Sequence, residues 1–181
     1  MMGLFLWIAL AFAGSREQAE MERYVEDMNA LAERQTWPGV ERNYEKILEL
    51  EGVAIPREVH LTAAASARAL GDMGAVLDRL KRAQALKHDD DVGAWINDIQ
   101  ENYAPVELRS VPPRKLELAP ELMPFEPDKR QAVELAAGRL AEDGEFIGLL
   151  PTGKYTLQGQ EFEVIAGVTT RVELSGRDLK D

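Results

Sequence analysis

The sequence predicts an α+β fold, in which N-terminal antiparallel helical hairpins precede a small antiparallel β-sandwich-like domain with one inserted helix. Two patterns support this prediction. Over residues 20–103 apolar side chains recur every three or four positions, as in amphipathic helices. After residue 104 apolar and polar side chains alternate in short runs, as in half-buried strands. A chain of 181 residues is long enough to bury a core under both patterns.

The composition narrows the classes of partner. The chain holds 32 acidic and 21 basic residues, for a formal net charge of −11, and no cluster of Lys and Arg is long enough to follow a phosphate backbone. We therefore expect no nucleic-acid partner. The sequence contains no cysteine, which excludes disulfides, thiolate catalysis and zinc–thiolate sites.

The N-terminal segment has the character of a targeting sequence. Residues 1–13, MMGLFLWIALAFA, carry no charged side chain and are shorter than the about 20 residues that a helix needs to cross a bilayer. Ala11-Phe12-Ala13 has the small-x-small pattern of a signal-peptide cleavage site. We predict a signal peptide over residues 1–13 and export to the periplasm or cell envelope, with membrane contact only through this segment if it stays uncleaved. Because no Lys or Arg precedes the apolar run, a buried or interfacial helix is the alternative.

Breaks in the helical pattern divide the first domain, predicted over residues 14–104, into five helices. Gly, Pro and Asp mark these breaks, for example at Trp37-Pro38-Gly39 and at Gly71-Asp72. The predicted helices span residues 22–35, 38–50, 56–70, 73–87 and 91–103.

An internal repeat relates the first two pairs of helices. At an offset of 36 residues Met28 aligns with Ala64, and the other aligned pairs are Tyr24 with His60, Leu31 with Ala67, Val40 with Val76, Tyr44 with Leu80 and Ile47 with Ala83. The pattern resembles the tetratricopeptide repeat, a helical hairpin of about 34 residues, most closely in LGDMGAVLDRLKRAQAL at residues 70–86. Met28 and Ile47 are bulkier than that family favours, and an ordinary α-helical bundle is the alternative.

The resemblance to tetratricopeptide repeats implies a partner-binding groove lined by the first helix of each hairpin. The residues that it places on this groove are Glu22, Asn29, Glu33, Glu58, Leu61 and Arg68. Such stacks need a capping helix, because a terminal repeat would otherwise expose an apolar face. The fifth predicted helix, with Trp95, Ile96, Ile99 and Tyr103, fits that role.

The second domain, predicted over residues 105–181, is rich in strands. Alternating runs predict strands near residues 106–108, 116–118, 146–150, 155–157, 162–164 and 168–174. Val133, Ala136, Ala137 and Leu140 share one helical face and predict the inserted helix over about residues 127–141, with Pro127 at its first turn.

The stretch GLLPTGKY at residues 148–155 matches seven positions of the phosphate-binding pattern G-x-x-x-x-G-K-[ST], but its context excludes that function. Pro151 lacks a backbone N–H, and Tyr155 stands where a magnesium-binding hydroxyl is needed. The residues that follow Lys154 read as strand, turn and strand, whereas a phosphate-binding loop precedes a helix. We expect no nucleotide and interpret Pro151-Thr152-Gly153 as a hairpin connection.

The same region is similar to another group of proteins. The segment from Asp143 to Leu157, DGEFIGLLPTGKYTL, resembles the strand-turn-strand signature of carboxypeptidase regulatory-like domains and of the related PEGA-type envelope domains. The segment from Glu161 to Leu174 resembles their final edge hairpin. The resemblance implies a non-catalytic β-sandwich that serves folding, adhesion or attachment in exported proteins. The predicted helix before this region departs from the family pattern.

No spacing of residues predicts a catalytic site, a metal site or a cofactor. His60 falls on a predicted packing position, and His88-Asp89-Asp90-Asp91 is interpreted as helix capping by Asp90 or Asp91 rather than as a cation site. Glu161 and Glu163 share a solvated strand face. The apolar residues Met123, Phe125, Phe146 and Tyr155 are predicted to lie in the core.

These expectations together predict an exported, non-enzymatic adaptor of the cell envelope, whose helical groove binds a protein partner and whose β domain anchors or orients it. A periplasmic glycan-binding module is the alternative, with Trp37, Tyr103 or Tyr155 as a stacking platform for sugar rings. A hydrolase that gathers His60 or His88 with acidic residues is a third possibility.

Overall fold

The computed structural model describes the backbone of residues 4–175 and the side chains of residues 16–175. Its first part is helical, and the five helices are α1 (Leu4–Glu33), α2 (Trp37–Leu48), α3 (Arg57–Ala69), α4 (Met73–Leu86) and α5 (Asp90–Asn102). A sixth helix, α6 (Pro127–Asp143), is inserted among the strands. The α+β fold class is therefore confirmed, and the helix ends, except the start of α1, lie close to those that the breaks in periodicity predict.

The first helix is longer than predicted. α1 begins at Leu4 and continues through the position after Ala13 where cleavage is predicted. Residues 1–3 lie outside the described residues, as do the side chains of residues 4–15, so the signal peptide over residues 1–13 stays a prediction. Among the described residues, no helix is both long enough and apolar enough to cross a membrane.

The two helical hairpins repeat in backbone detail. In the connection between α1 and α2, Thr36 N–H donates to the Leu31 carbonyl at 2.9 Å, and in the connection between α3 and α4, Asp72 N–H donates to the Ala67 carbonyl at 2.9 Å. The residue before each donor has a positive φ, 54° at Gln35 and 83° at Gly71. The offset of 36 residues thus relates equivalent turns, and four of the aligned pairs are buried at both positions: Met28 with Ala64, Val40 with Val76, Tyr44 with Leu80, and Ile47 with Ala83.

Polar contacts join the hairpins within this apolar packing. Tyr44 Oη lies 2.9 Å from His60 Nδ1, which links α2 to α3. Arg79 of α4 donates to a carboxylate oxygen of Glu41 on α2 at 2.7 Å and to the Ala63 carbonyl of α3 at 2.6 Å. One buried guanidinium therefore connects three helices.

The strands form two small sheets. They are β1 (Tyr103–Val111), β2 (Leu118–Pro120), β3 (Glu145–Pro151), β4 (Gly153–Leu157), β5 (Gln160–Val164) and β6 (Thr170–Ser175). The sheet orders are β3-β1-β6 and β2-β4-β5. All pairs are antiparallel except β1 with β6, which is parallel.

Two predicted hairpins are wrong. Pro151-Thr152-Gly153 connects β3 to β4, which lie in different sheets, and β5 and β6 also lie in different sheets. The true hairpin joins β4 to β5 through Gln158 and Gly159. Between β3 and β4 the chain passes from one sheet to the other. Two hydrogen bonds hold this connection: Thr152 N–H donates to the Asn102 carbonyl at 2.9 Å, and the buried Tyr155 hydroxyl donates to the Pro151 carbonyl at 2.8 Å.

The inserted helix packs against the sheets. Val133, Ala136 and Leu140 of α6 share a buried cluster with residues of both sheets, which include Leu108, Phe146 and Leu157. Gly144, with a left-handed φ of 72°, caps the helix after its last residue, Asp143.

Of the four apolar residues that the sequence assigns to this core, two are misplaced. Phe146 and Tyr155 are buried, but Met123 is 46% exposed and Phe125 is 95% exposed. Both residues lie in the irregular connection between β2 and α6. Apolar character alone therefore does not identify the core in this irregular segment.

The two parts of the chain are in direct contact. α5 ends at Asn102, and β1 begins at the next residue, Tyr103, without a linker. Ala132 of α6 is fully buried in the cluster of the second hairpin and α5. At Gly71 a β-carbon would lie 2.5 Å from the Gln131 carbonyl oxygen. α6 therefore packs closely against the turn between α3 and α4.

Candidate protein-interaction surface

A groove with a volume of about 630 Å³ runs along α1. It brings together three of the residues predicted to bind a partner, Glu22, Asn29 and Glu33. Their spacings of seven and four positions place them on one side of a helix, and all three are exposed. Pro56, just before α3, lines the groove from outside α1.

The groove combines apolar surface with acidic side chains. Val25, Ala30 and Pro56 supply the apolar part, since Met21 is only 4% exposed, and Glu22, Glu26 and Glu33 supply the carboxylates. Gln18 Nε2 donates to Glu22 at 3.2 Å, and none of these three carboxylates has an ion-pair partner within the described part of the chain. Such a surface can bind an apolar side chain and hold a cation beside it.

Sequence reasoning missed several lining residues, among them Gln18, Met21, Val25 and Glu26. For Gln18, Val25 and Glu26 the signal was present, because each lies three, four or seven residues from a predicted position on the same helix. The predicted helix began only at residue 22, however, whereas α1 extends well before it.

The other three predicted partner-binding residues do not line this groove. Glu58 is exposed in the first turn of α3, and Leu61 is partly buried against the core of the second hairpin. Arg68, at the end of α3, donates from Nε to Asp128 of α6 at 2.7 Å and lies 5.3 Å from the centre of the Trp95 ring. The hydrogen bond to Asp128 raises the pKa of Arg68 above its ordinary value.

The contact of Arg68 with Asp128 was not predictable from the helical pattern. The two residues are 60 positions apart, and the repeat comparison gives no position for α6. Arg68 is therefore occupied within the chain, and the groove on α1 defines the candidate surface.

The aromatic residues proposed as sugar platforms are largely inaccessible. Tyr103 is 5% exposed and Tyr155 is 3% exposed, while Trp37 is partly buried in the first hairpin. Burial raises the pKa of Tyr103 to about 12, and burial also raises the pKa of Tyr155. A stacking platform needs an exposed ring face, which these two tyrosines do not offer.

The two histidines lie in unlike surroundings. His60 is 5% exposed, and burial, followed by the nearby charge of Arg82, lowers its pKa below the ordinary value. His88 is exposed and lies 3.1 Å from a carboxylate oxygen of Asp90. Within the described residues, no group of three or more His, Asp or Glu side chains could hold a metal ion.

The acid that caps α5 is not one of those predicted. Asp89, rather than Asp90 or Asp91, accepts hydrogen bonds from the backbone N–H groups of Asp91 and Val92 at 3.0 and 3.2 Å. These bonds lower the pKa of Asp89, that from Val92 having the largest effect. The cap lies one residue earlier because α5 begins at Asp90.

Two further sequence interpretations concern the strands. The residues after Lys154 form β4, a turn and β5, as the pattern predicts, and no helix follows them up to residue 175, where the described part of the chain ends. Glu161 and Glu163 are both exposed on β5. These carboxylates thus lie on a solvated strand face.

Comparison with known proteins adds no family assignment. No protein-family model matches the chain, and no curated protein or solved structure is significantly similar to it. The likenesses to tetratricopeptide repeats and to carboxypeptidase regulatory-like or PEGA-type domains therefore depend on the sequence segments quoted above.

Proposed function

We propose that this chain is a non-enzymatic interaction protein of the cell envelope, which binds a protein partner through the α1 groove. One observation carries the proposal. Glu22, Asn29 and Glu33, selected from sequence as partner-binding residues, line a single groove that also contains apolar side chains. An amphipathic helix with basic flanks fits this surface, because its apolar side can contact Val25 and Pro56 while its cations approach the carboxylates.

The β part acts as an anchor or an orienting unit in this proposal. It follows α5 without a linker, so its direction relative to α1 is set by packing rather than by a flexible segment. The apolar, uncharged residues 1–13 support export, and the resemblance to PEGA-type domains supports an envelope location.

The surroundings of the candidate catalytic groups support a non-enzymatic role. The imidazole of His60 is buried and hydrogen-bonded to Tyr44, so it is not accessible to a substrate. The exposed His88 lies between α4 and α5 and is in contact with Gln84 of α4 and Asp90 of α5.

A site-specific photo-cross-linker tests the groove in the cells that make the protein. Placed at Asn29, it should give one discrete cross-linked product. The same group at Lys87, which is exposed on another helix end, should give none. The cross-linked partner is then identified by mass spectrometry and its affinity for the purified protein is measured.

Charge reversal in the α1 groove provides a second test of the proposal. The double substitution Glu22→Arg and Glu33→Arg should abolish the product at Asn29 and weaken the purified complex about tenfold or more. Glu101→Arg with Glu161→Arg, at exposed positions outside the groove, is the matched control and should leave both unchanged. Equal products at Asn29 and Lys87, or equal loss in both double variants, would contradict the proposal.

A further inference from the structure

A cleft lies between the helical and the β parts of the described chain. It has a volume of about 820 Å³ and shares no lining residue with the α1 groove. Its walls come from α2, from the turn between α3 and α4, from α6 and from the first residues of β3. It is therefore a separate surface that exists only because the two parts of the chain are packed together.

The cleft is strongly acidic. Five carboxylates and one guanidinium line it: Glu41, Glu45, Asp72, Asp143, Glu145 and Arg139. Arg79, which does not itself line the cleft, forms an ion pair with Glu41, and Arg139 Nη1 lies 4.0 Å from Asp143 Oδ2. Glu45 and Glu145 are exposed and have no ion-pair partner among the residues that the structure describes. The net field in the cleft attracts cations.

The cleft also presents apolar surface at an edge strand. Among the described strands, β3 is the outer one of its sheet and is paired with β1 alone. Ile147 of β3 is 71% exposed and lines the cleft together with Leu135 of α6. An exposed branched side chain on a sheet edge is a surface that proteins commonly cover with another chain.

We propose that this cleft docks an extended basic segment of a partner protein, in which lysine or arginine side chains alternate with apolar ones. The cations lie beside Glu45 and Glu145, and an apolar side chain packs on Ile147. An extended segment suits the site because it can lie along the edge of β3 with alternate side chains on its two sides. The protein then has two binding surfaces, one on α1 and one between its two parts.

A labelled peptide measures the charge requirement. The probe is a short fluorescein-labelled peptide of alternating lysine and leucine, and binding is followed by fluorescence anisotropy at fixed ionic strength. Glu45→Lys with Glu145→Lys should weaken binding about tenfold, and Ile147→Ser about fivefold. The control Glu101→Lys with Glu161→Lys, which changes the net charge equally at exposed positions outside the cleft, should change binding less than about twofold.

Amide chemical shifts locate the peptide and separate the two proposals. With the labelled full chain, we expect the largest shifts at residues 145–148 and at Glu45, and none along residues 18–33. Glu22→Arg with Glu33→Arg should not affect this peptide. Equal weakening in the control variant, or shifts confined to α1, would overturn the cleft as a docking site while leaving the α1 groove to its own test. All substituted positions are exposed, and thermal melting verifies that each variant folds.

Discussion

Two glycines of the helical part have similar backbone conformations but different surroundings. Gly52 and Gly71 both have a left-handed φ, of 69° and 83°. A β-carbon at Gly52 would meet nothing within 4 Å, whereas one at Gly71 would lie 2.5 Å from the backbone oxygen of Gln131 on α6. The two sites therefore share the same backbone strain but differ in the clash with α6.

Alanine substitution separates these effects. Gly52→Ala should lower the free energy of unfolding by about 1 kcal/mol, because only left-handed strain is added. Gly71→Ala should lower it by about 2 to 4 kcal/mol, because α6 must also move away. Urea unfolding of both variants measures the difference. Equal losses would show that α6 does not press on this turn.

The buried His60 makes stability depend on pH. Its pKa in the folded chain is lowered from 6.5 by burial and by the charges of Arg82 and Arg79, against the opposing effect of Asp78, whereas the unfolded chain keeps the ordinary value. The unfolded state therefore takes up the proton first, so this contribution to stability is full above pH 6.5 and is lost as the pH falls through the folded pKa.

We expect the free energy of unfolding to fall more steeply between pH 7 and 5 in the wild type than in His60→Asn. Asparagine removes the titration and can keep a hydrogen bond to Tyr44. Parallel curves for the wild type and His60→Asn, from chemical denaturation at each pH, would exclude His60 as the titrating group.

At the scale of elements, Arg79 connects α2, α3 and α4. Its guanidinium is hydrogen-bonded to Glu41 and to the Ala63 carbonyl and lies 4.5 Å from the centre of the Tyr44 ring. Arg82, on the same helix, is half exposed and forms an ion pair with the exposed Asp78. These two arginines allow a buried and an exposed ion pair to be compared within one helix.

Removal of each arginine should have unequal effects. Arg79→Leu should cost about 3 kcal/mol of unfolding free energy, because it leaves the half-buried Glu41 carboxylate without its partner. Arg82→Leu should cost at most about 1 kcal/mol, as is usual for exposed pairs. Denaturant unfolding provides both values. A small effect at Arg79 would mean that water replaces its contacts.

The elements themselves were predictable from local periodicity, whereas their partners were not. The helix ends near residues 70, 86 and 102 follow from Gly, Pro and capping residues in the chain. The connection at Pro151, which passes from one sheet to the other, was mistaken for a hairpin because a Pro-x-Gly segment suits both kinds of connection. Which connection forms depends on the hydrogen bonds of this segment with Asn102 and Tyr155, and no local sequence pattern encodes these contacts.

The residues of the candidate surface were likewise predictable only where a single helix holds them. Glu22, Asn29 and Glu33 could be grouped from sequence because one helix fixes their spacing. Arg68 could not be judged, since its contact with Asp128 depends on how α6 packs against α3. The cleft, formed by residues from both parts of the chain, gave no signal in the sequence.

For the whole molecule, the shared cluster around Ala132 predicts cooperative unfolding. The wild type should show one calorimetric transition, with a van't Hoff enthalpy close to the calorimetric one. Ala132→Glu places a carboxylate in this fully buried site and should split the transition into two. Ala141→Glu, at an exposed position of α6, should keep a single transition. Two transitions in the wild type would show that the parts fold independently.

The parallel pairing of β1 with β6 has a consequence for synthesis. Val106 pairs with Thr170, so β1 emerges from the ribosome long before its second neighbour exists. The hairpins, whose contacts are local, can form early, while β1 waits with one edge open until β6 has been made. During that interval the chain offers an unpaired strand edge to chaperones, and a slow-down in translation before residue 170 would lengthen its exposure.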